Sequence, residues 1–242
     1  MNSETSSKGT LFLIPTPLGE KAPLEVLPLS IKKIVEDLTH FIVENEKMAR
    51  RFIKKISPNK NQNELVLFPL NKFTSQEEIN SYLDPCLEGI SMGLLSDAGC
   101  PGIADPGAVI VSIAHRYDIL VKPQIGPSSI ILAMMSSGMN GQNFAFNGYL
   151  PIDKKQRYQS LLKYQRIAVK ENQAQIFIET PYRSDALFAE LLKVLDPNTK
   201  LCIACDLSLD SEYIKTYSVL EWKKNKPQLQ KRPCIFIFEG SF

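Results

Sequence analysis

Ten short apolar runs, separated by stretches of helical periodicity, recur from one end of this chain to the other, and no other feature limits its fold as much. They are Leu11–Ile14, Phe41–Val43, Leu65–Phe68, Gly93–Leu95 and Ile119–Val121, then Phe144–Phe146, Ile176–Ile178, Leu201–Ala204, Tyr213–Val219 and Ile235–Phe238. Several are continuously apolar rather than alternating, the pattern of strands covered on both faces. Between them, Leu187, Phe188, Leu191, Leu192 and Leu195 keep one face of a helix that Pro181 opens and Asp196-Pro197-Asn198 stops. Ser75 with Gln76-Glu77-Glu78 starts a second helix ending near Gly89, and Pro106 opens a third that runs to Arg116. Such βαβα alternation specifies the α/β class. Lys122-Pro123-Gln124-Ile125-Gly126-Pro127 interrupts regular structure and sets the expected boundary between domains 1–124 and 125–242. The first sheet is expected to be mostly parallel. The second is expected to be mixed, because its last strands follow one another with little helix between them.

With 242 residues, 44% of them hydrophobic, the chain can bury two cores of this kind. A net charge of +2 is too small a bias to indicate a nucleic-acid partner, which leaves only local basic clusters to do so. Met1 to Gly9 is polar and the four residues Leu11–Ile14 are too few for a secretory or membrane segment, so a cytoplasmic location and no membrane association are expected. The five cysteines are odd in number and lack framework spacing, as in a reducing compartment. Cys202 and Cys205 form a CxxC pair, but they lie on an expected strand, where residues three apart face opposite ways. With His40 and His115 the only histidines, no metal site is expected and these thiols read as buried.

The segment richest in chemistry is Ser96-Asp97-Ala98-Gly99-Cys100-Pro101-Gly102-Ile103-Ala104-Asp105-Pro106-Gly107. It leaves the C-terminal end of a buried strand just before a helix, where open α/β sheets take ligands. Three glycines allow close backbone approach and two prolines stiffen the loop, so its N–H and C=O groups can read an adenine or an amino-acid zwitterion. A tight connection with no ligand has the same composition. The chain contains no GxxxxGK[ST], and no GxGxxG follows the first strand, so nucleotide hydrolysis and dinucleotide redox lack their usual signatures.

SDAGCPGIADPG resembles the SDAGTPGISDPG signature of the ribosomal RNA small-subunit methyltransferase I branch of the tetrapyrrole methylase family. In chain order, LFLIPTPLG (Leu11–Gly19) resembles the family's first strand and loop, and IGPSSIILAMMSSG (Ile125–Gly138) its PGPSAxxxALxxSG. FAFNGYLPIDKKQR (Phe144–Arg157) resembles FxFxGFLPxKxxxR, IFIETPYR (Ile176–Arg183) resembles FYESPHR, and KRPCIFIFEG is similar to the closing strand. The resemblance implies two α/β domains with S-adenosylmethionine in the cleft between them, and a homodimer. It also implies that the cofactor touches Pro15, Asp97, Ala98, Gly99, Ile103 and Ala104, then Ser128 and Ser129. Further implied contacts are Glu179, Thr180 and Pro181, with Ala204 and Leu207. Four stretches depart from the family: Gly19-Glu20-Lys21-Ala22-Pro23-Leu24 for GNLxDIT, and Val43-Glu44-Asn45-Glu46-Lys47-Met48-Ala49 for AEDTRxT. The others are Pro69-Leu70-Asn71-Lys72 for the HNE element, and Ala204 to Glu212 for ARELTKxHE. These are the stretches expected to meet the acceptor, so the cofactor is the firmer implication.

By analogy to that branch, the implied reaction is methylation of a ribose 2′-hydroxyl of small-subunit ribosomal RNA. A tetrapyrrole-like or other small-molecule acceptor, and a non-catalytic protein binding the cofactor and RNA, stand as alternatives. A hydroxyl must lose its proton as it attacks. No histidine lies in a matched motif, so a carboxylate or lysine would serve, with Glu44 and Glu179 as candidates and the catalytic residue otherwise unassigned. Asp206 and Glu212 read either as an acid pair or as solvated strand-end carboxylates. Arg183 reads as a phosphate ligand or a helix-start arginine. Lys154, Lys155 and Arg157, near Tyr149 and Tyr158, form either an RNA-backbone contact or a solvated helix face. Lys223, Lys224, Lys226, Lys231 and Arg232 read as exposed charge.

Overall fold

A computed structural model describes residues 7–240, so most of the polar tail read from Met1 to Gly9 lies outside the described residues. The chain divides into two compact units between Ser128 and Ser129. The first holds β1 (Thr10–Ile14), α1 (Pro23–Val26), α2 (Leu29–Asp37), β2 (His40–Val43), α3 (Glu46–Ile56), β3 (Val66–Pro69), α4 (Gln76–Ser81), α5 (Asp84–Leu87), β4 (Met92–Leu95), α6 (Ala108–Arg116) and β5 (Leu120–Pro123). The second holds α7 (Ser129–Ser137), β6 (Phe144–Phe146), α8 (Lys154–Lys170), β7 (Ala174–Glu179), α9 (Ser184–Val194), β8 (Lys200–Cys205), β9 (Tyr213–Ser218), α10 (Val219–Trp222) and β10 (Cys234–Glu239). Every expected strand is present, with ends shifted by a residue or two.

The first sheet is wholly parallel, in the order β3-β2-β4-β1-β5. Strand residues alternate between two cores, which is why the runs are apolar throughout. Ile14, Phe41, Val43 and Leu95 join Ile31, Val35, Phe52 and Ile53 beneath α2 and α3. Leu11, Ile42, Met92 and Leu94 join Ile110 and Ile113 of α6 on the other face. The second sheet is mixed, in the order β6-β7-β10-β8-β9, with β10 antiparallel to both neighbours. On one face Phe177, Phe236, Phe238 and Ile203 meet α8 and α9. Trp222 is fully buried there, donating from its indole N–H to Leu201 O at 2.7 Å, with Phe188 and Tyr217 edge-on to its ring. Cys205 belongs to this core and Cys202 does not, as expected for residues three apart on a strand.

Several element boundaries differ from expectation, among them the start of α6, which is Ala108 rather than Pro106. The helix expected to run from Ser75 to Gly89 breaks at Ser81, because Pro85 has no N–H for the Ser81 carbonyl and its ring would strike it. Its start is as expected: Ser75 Oγ accepts from Glu78 N–H (3.2 Å) while Glu78 Oε2 accepts from Ser75 N–H (2.8 Å). Pro181 does not open its helix. Arg183 N–H donates to Thr180 O at 3.0 Å in a separate turn, and α9 begins at Ser184. The strand expected to reach Val219 stops at Ser218, whose hydroxyl caps α10 through a reciprocal bond with Glu221.

Gly93 pairs with Phe41 across the β2–β4 ladder, and the Phe41 ring lies over it. A Cβ at Gly93 would stand 2.7 Å from that buried ring and 3.0 Å from Ile14 Cδ1. We therefore expect Gly93→Ala to destabilise the protein by about 1–3 kcal/mol through overpacking. Urea unfolding followed by circular dichroism measures this; an unchanged midpoint would show that Phe41 can yield.

Candidate functional site

The connection leaving β1 crosses the sheet towards β2, and that leaving β4 crosses in the opposite direction towards β5. Because β1 and β4 are neighbours, their C-terminal loops emerge side by side at a switch point, where open parallel sheets bind ligands. Two backbone bonds join these loops: Thr16 N–H donates to Gly99 O at 3.0 Å, and Gly99 N–H to Thr16 O at 3.1 Å. The buried hydroxyls of Thr16 and Ser96 add bonds to Ser96 O (3.1 Å) and Gly99 O (2.8 Å).

The rest of the loop is held from within. Gly99 and Gly102 sit at φ +80°, which L side chains rarely adopt. Asp105 Oδ1 accepts from Gly102 N–H (2.6 Å) and Gly107 N–H (2.8 Å), closing the loop onto the start of α6. Asp97, Ala98, Ile103 and Ala104 are exposed along its crest. The N–H groups of Ala98 and Ala104 have no partner among the described residues. Cys100 Sγ reaches Pro127 O at 3.4 Å, and the buried Pro15 packs where a Cβ on Gly126 would stand 2.3 Å away. Pro15, the Asp97–Ala104 loop and the segment ending at Ser128 therefore converge within the first unit.

Charge at this edge is negative. Glu44, at the end of β2, accepts the Asp97 N–H at 3.1 Å. Burial pushes its carboxyl above the ordinary range, against that bond, and the nearby Asp105 and Asp97 charges push the same way. Burial likewise raises Asp97, opposed by the Asn45 N–H, and Asp105, opposed by the Gly107 and Gly102 N–H groups. Among the described residues none of these three carboxylates has a basic partner within ion-pair distance. The arrangement suits a cationic ligand with an amino-acid or base portion that backbone groups can read.

In the second unit, β7 and β8 both run antiparallel to β10, so their C-terminal ends lie at one edge. Glu179-Thr180-Pro181 and Ala204 to Leu207 are together there, with Cys234 paired between Glu179 and Cys205. Ser129 opens α7. Glu179 is 3% exposed, and its Oε1 accepts from Thr180 N–H (2.6 Å) and from Arg183 Nε (2.9 Å) and Nη2 (2.8 Å). That pairing occupies Glu179 as a proton acceptor and Arg183 as a phosphate ligand.

Other readings also change. Asp206 and Glu212 are neither an acid pair nor free. Asp206 Oδ2 pairs with Arg232 Nε at 2.7 Å, and Glu212 accepts the Ser208 N–H at 2.7 Å. Arg232 accordingly leaves the exposed basic group. Arg157 is withdrawn as well: its Nε meets Glu190 and its Nη1 bonds Ile152 O at 2.8 Å, fastening α8 to α9. Lys154 and Lys155 stay exposed.

The sequence placed Glu20 in a stretch expected to meet the acceptor, whereas Arg51 and Lys55 were not among the expected site residues. With Thr16, Gly19 and Asp97 they line one depression beside the loop. Glu20 meets Arg51 through Nη1 and Nη2, both at 3.0 Å, and Lys55 Nζ at 2.7 Å. The signal was the fourth-residue spacing of Lys47, Arg51 and Lys55, which places them on one helix face. Nothing local pointed to Glu20 as their partner. Among the described residues no group of three histidine, cysteine or acidic side chains could hold a metal ion, and no helix is long and apolar enough to cross a membrane.

No known family profile matches the chain. It is 27% identical over 235 residues to the ribosomal RNA small subunit methyltransferase I of Buchnera aphidicola, covering 96% of this chain and 79% of that protein. It is 28% identical over 223 residues to the protein of the same name from Thermotoga maritima, covering 90% and 94%. Among solved structures it resembles the methyltransferase CobJ, with TM-score 0.63 and 13% identity over 96% of this chain and 95% of that one. It also resembles the uroporphyrin-III C-methyltransferase of Thermus thermophilus complexed with S-adenyl homocysteine, with TM-score 0.59 and 16% identity over 96% and 97%. The chain is thus a homologue of the proteins named ribosomal RNA small subunit methyltransferase I, carried on the fold of the tetrapyrrole methylases.

Proposed function

We propose that this protein is an S-adenosylmethionine-dependent methyltransferase that acts on a ribose 2′-hydroxyl of small-subunit ribosomal RNA. The observation that carries the reading is the acid-lined, backbone-rich loop from Asp97 to Ala104 at the β1–β4 switch point. S-adenosylmethionine has a sulfonium and an ammonium against one carboxylate, so its net charge complements Glu44, Asp97 and Asp105. The same carboxylates disfavour phosphate-rich nucleotides. Pro15, Asp97, Ala98, Gly99, Ile103, Ala104 and Ser128 would hold the cofactor, with Ile103 as apolar surface and the N–H groups of Ala98 and Ala104 as donors. When bound, it supplies an activated methyl group on a good leaving group. The chain's part is to aim the acceptor oxygen along that bond and take its proton, with positioning supplying much of the rate. Because Arg183 occupies Glu179, Glu44 is the carboxylate left to receive that proton, and its raised pKa suits the task. A homodimer in the cytoplasm accompanies this reading on the resemblance; light scattering should then give twice the 27.2 kDa chain mass.

Cofactor affinity should depend on pH with a definite sign. The three carboxylates titrate above their ordinary values, and only their ionised forms attract a cation. Affinity should therefore be full at neutral pH and decline as pH falls through the raised values, before ordinary carboxylates protonate. Calorimetric titration with S-adenosylmethionine across that range checks this; no binding by folded protein at neutral pH would remove the cofactor assignment.

Turnover with labelled cofactor should appear with small-subunit ribosomal RNA and not with a small-molecule extract. Glu44→Gln should reduce turnover by about 10²–10⁴-fold, the range of general-base catalysis, with cofactor affinity at neutral pH weakened by the loss of one of the three charges but not abolished. Label entering the extract instead would establish the small-molecule acceptor, and cofactor binding without any transfer would establish the non-catalytic reading.

A further inference from the structure

Glu20, Arg51 and Lys55 form a built anion site with an anion in it. The two guanidinium nitrogens of Arg51 each lie 3.0 Å from one carboxylate oxygen of Glu20, and Lys55 Nζ adds a third contact at 2.7 Å. A planar fork meeting two oxygens while an ammonium closes on one of them is also how proteins hold a phosphate. Lys55 and Arg51 hold the Glu20 carboxyl below its ordinary range, the Lys55 hydrogen bond contributing most. Glu20 belongs to the short loop after β1, where the chain departs from its relatives' pattern. The cations belong to α3, whose inner face of Ala49, Phe52, Ile53 and Ile56 is buried in the core. The cations are therefore anchored to a packed helix, and their partner is exposed on a loop.

The location gives this cradle its meaning. Thr16, Gly19 and Asp97 line the same depression, and Thr16 is bonded directly to Gly99 of the proposed cofactor loop. A nucleotide whose 2′-hydroxyl reaches a methyl group held by that loop carries a phosphodiester on the adjacent ribose carbon. Among the described residues the only cations lining the depression are Arg51 and Lys55. Lys47, one turn earlier on the same face of α3, is exposed and extends the basic stripe.

We propose that Arg51 and Lys55 bind a phosphodiester of the RNA acceptor next to the cofactor loop, and that Glu20 occupies this site until the RNA phosphate displaces it. The proposal rests on the RNA reading and adds a phosphate site and a competing internal ligand to it. Removing the cations should weaken RNA binding, whereas removing the Glu20 charge should strengthen it. An ion pair that merely stabilised the fold would not give these opposite signs.

The test is fluorescence anisotropy with labelled small-subunit ribosomal RNA across a salt series, alongside cofactor calorimetry on each variant as a check of folding. Arg51→Ala combined with Lys55→Ala should weaken RNA binding and reduce the slope of log affinity against log salt by about 0.7–0.9, one phosphate contact's worth. Glu20→Gln should bind RNA about three- to tenfold more tightly, as expected from freeing two exposed ion pairs. Cofactor affinity at neutral pH should be unchanged in both. If the wild type binds RNA while the double variant keeps its affinity and slope, the phosphate site is overturned and the RNA reading stands; if Glu20→Gln binds no more tightly, Glu20 is overturned as its competing ligand. If the folded wild type neither binds nor methylates RNA, the phosphate site and the RNA reading are both overturned.

Discussion

The pair of backbone hydrogen bonds between Thr16 and Gly99 is the constraint on which the functional edge of the first unit depends. Parallel sheets leave the loops at their C-terminal ends without ladder partners, and a loop whose backbone groups bond only to water is more mobile than one held by internal bonds. Here each loop satisfies the other. The hydroxyls of Thr16 and Ser96 complete the pairing in a buried setting, where an unmade bond would cost about 1–3 kcal/mol. The crest of the loop is thereby fixed before any ligand arrives, so less ordering entropy opposes binding.

Around this fixed edge, charge of opposite sign is sorted over a short distance. Glu44, Asp97 and Asp105 surround the loop, partly buried and without basic partners among the described residues. Arg51 and Lys55 stand on α3 a few residues along the chain from Glu44, with Glu20 between them. The cations pair with Glu20 and not with the acids of the loop. The acid group suits a cationic donor and the basic pair an anionic acceptor.

Much of this was legible in the sequence, for identifiable reasons. The strands announced themselves because both faces of the first sheet are covered, so Phe41, Ile42 and Val43 all had to be apolar. The Asp97–Ala104 loop showed through its glycines and prolines, which its backbone angles require. Helix α3 was written in the spacing of Ala49, Phe52, Ile53 and Ile56, but the charges of its outer face hide it from a search for apolar runs. What could not be read were partnerships set by the fold. Arg51 meets Glu20, Arg157 meets Glu190 and Arg232 meets Asp206 across separations that no local pattern encodes. Each turned a residue that looked free into one with a partner, and so moved the basic surface of interest from α8 to α3.

The burial of Trp222 has an optical consequence. It is the only tryptophan in the chain, and it lies within the second unit between Phe188 and Tyr217. Indole emission therefore originates wholly in that unit, from a site shielded from water and from soluble quenchers. The first unit, with Tyr82 and Tyr117 as its only hydroxyl-bearing aromatics, is dark when excitation is confined to the red edge of the indole band. A fluorescence melt of this protein is a melt of its second unit, and a tryptophan placed in the first would give each half a separate signal.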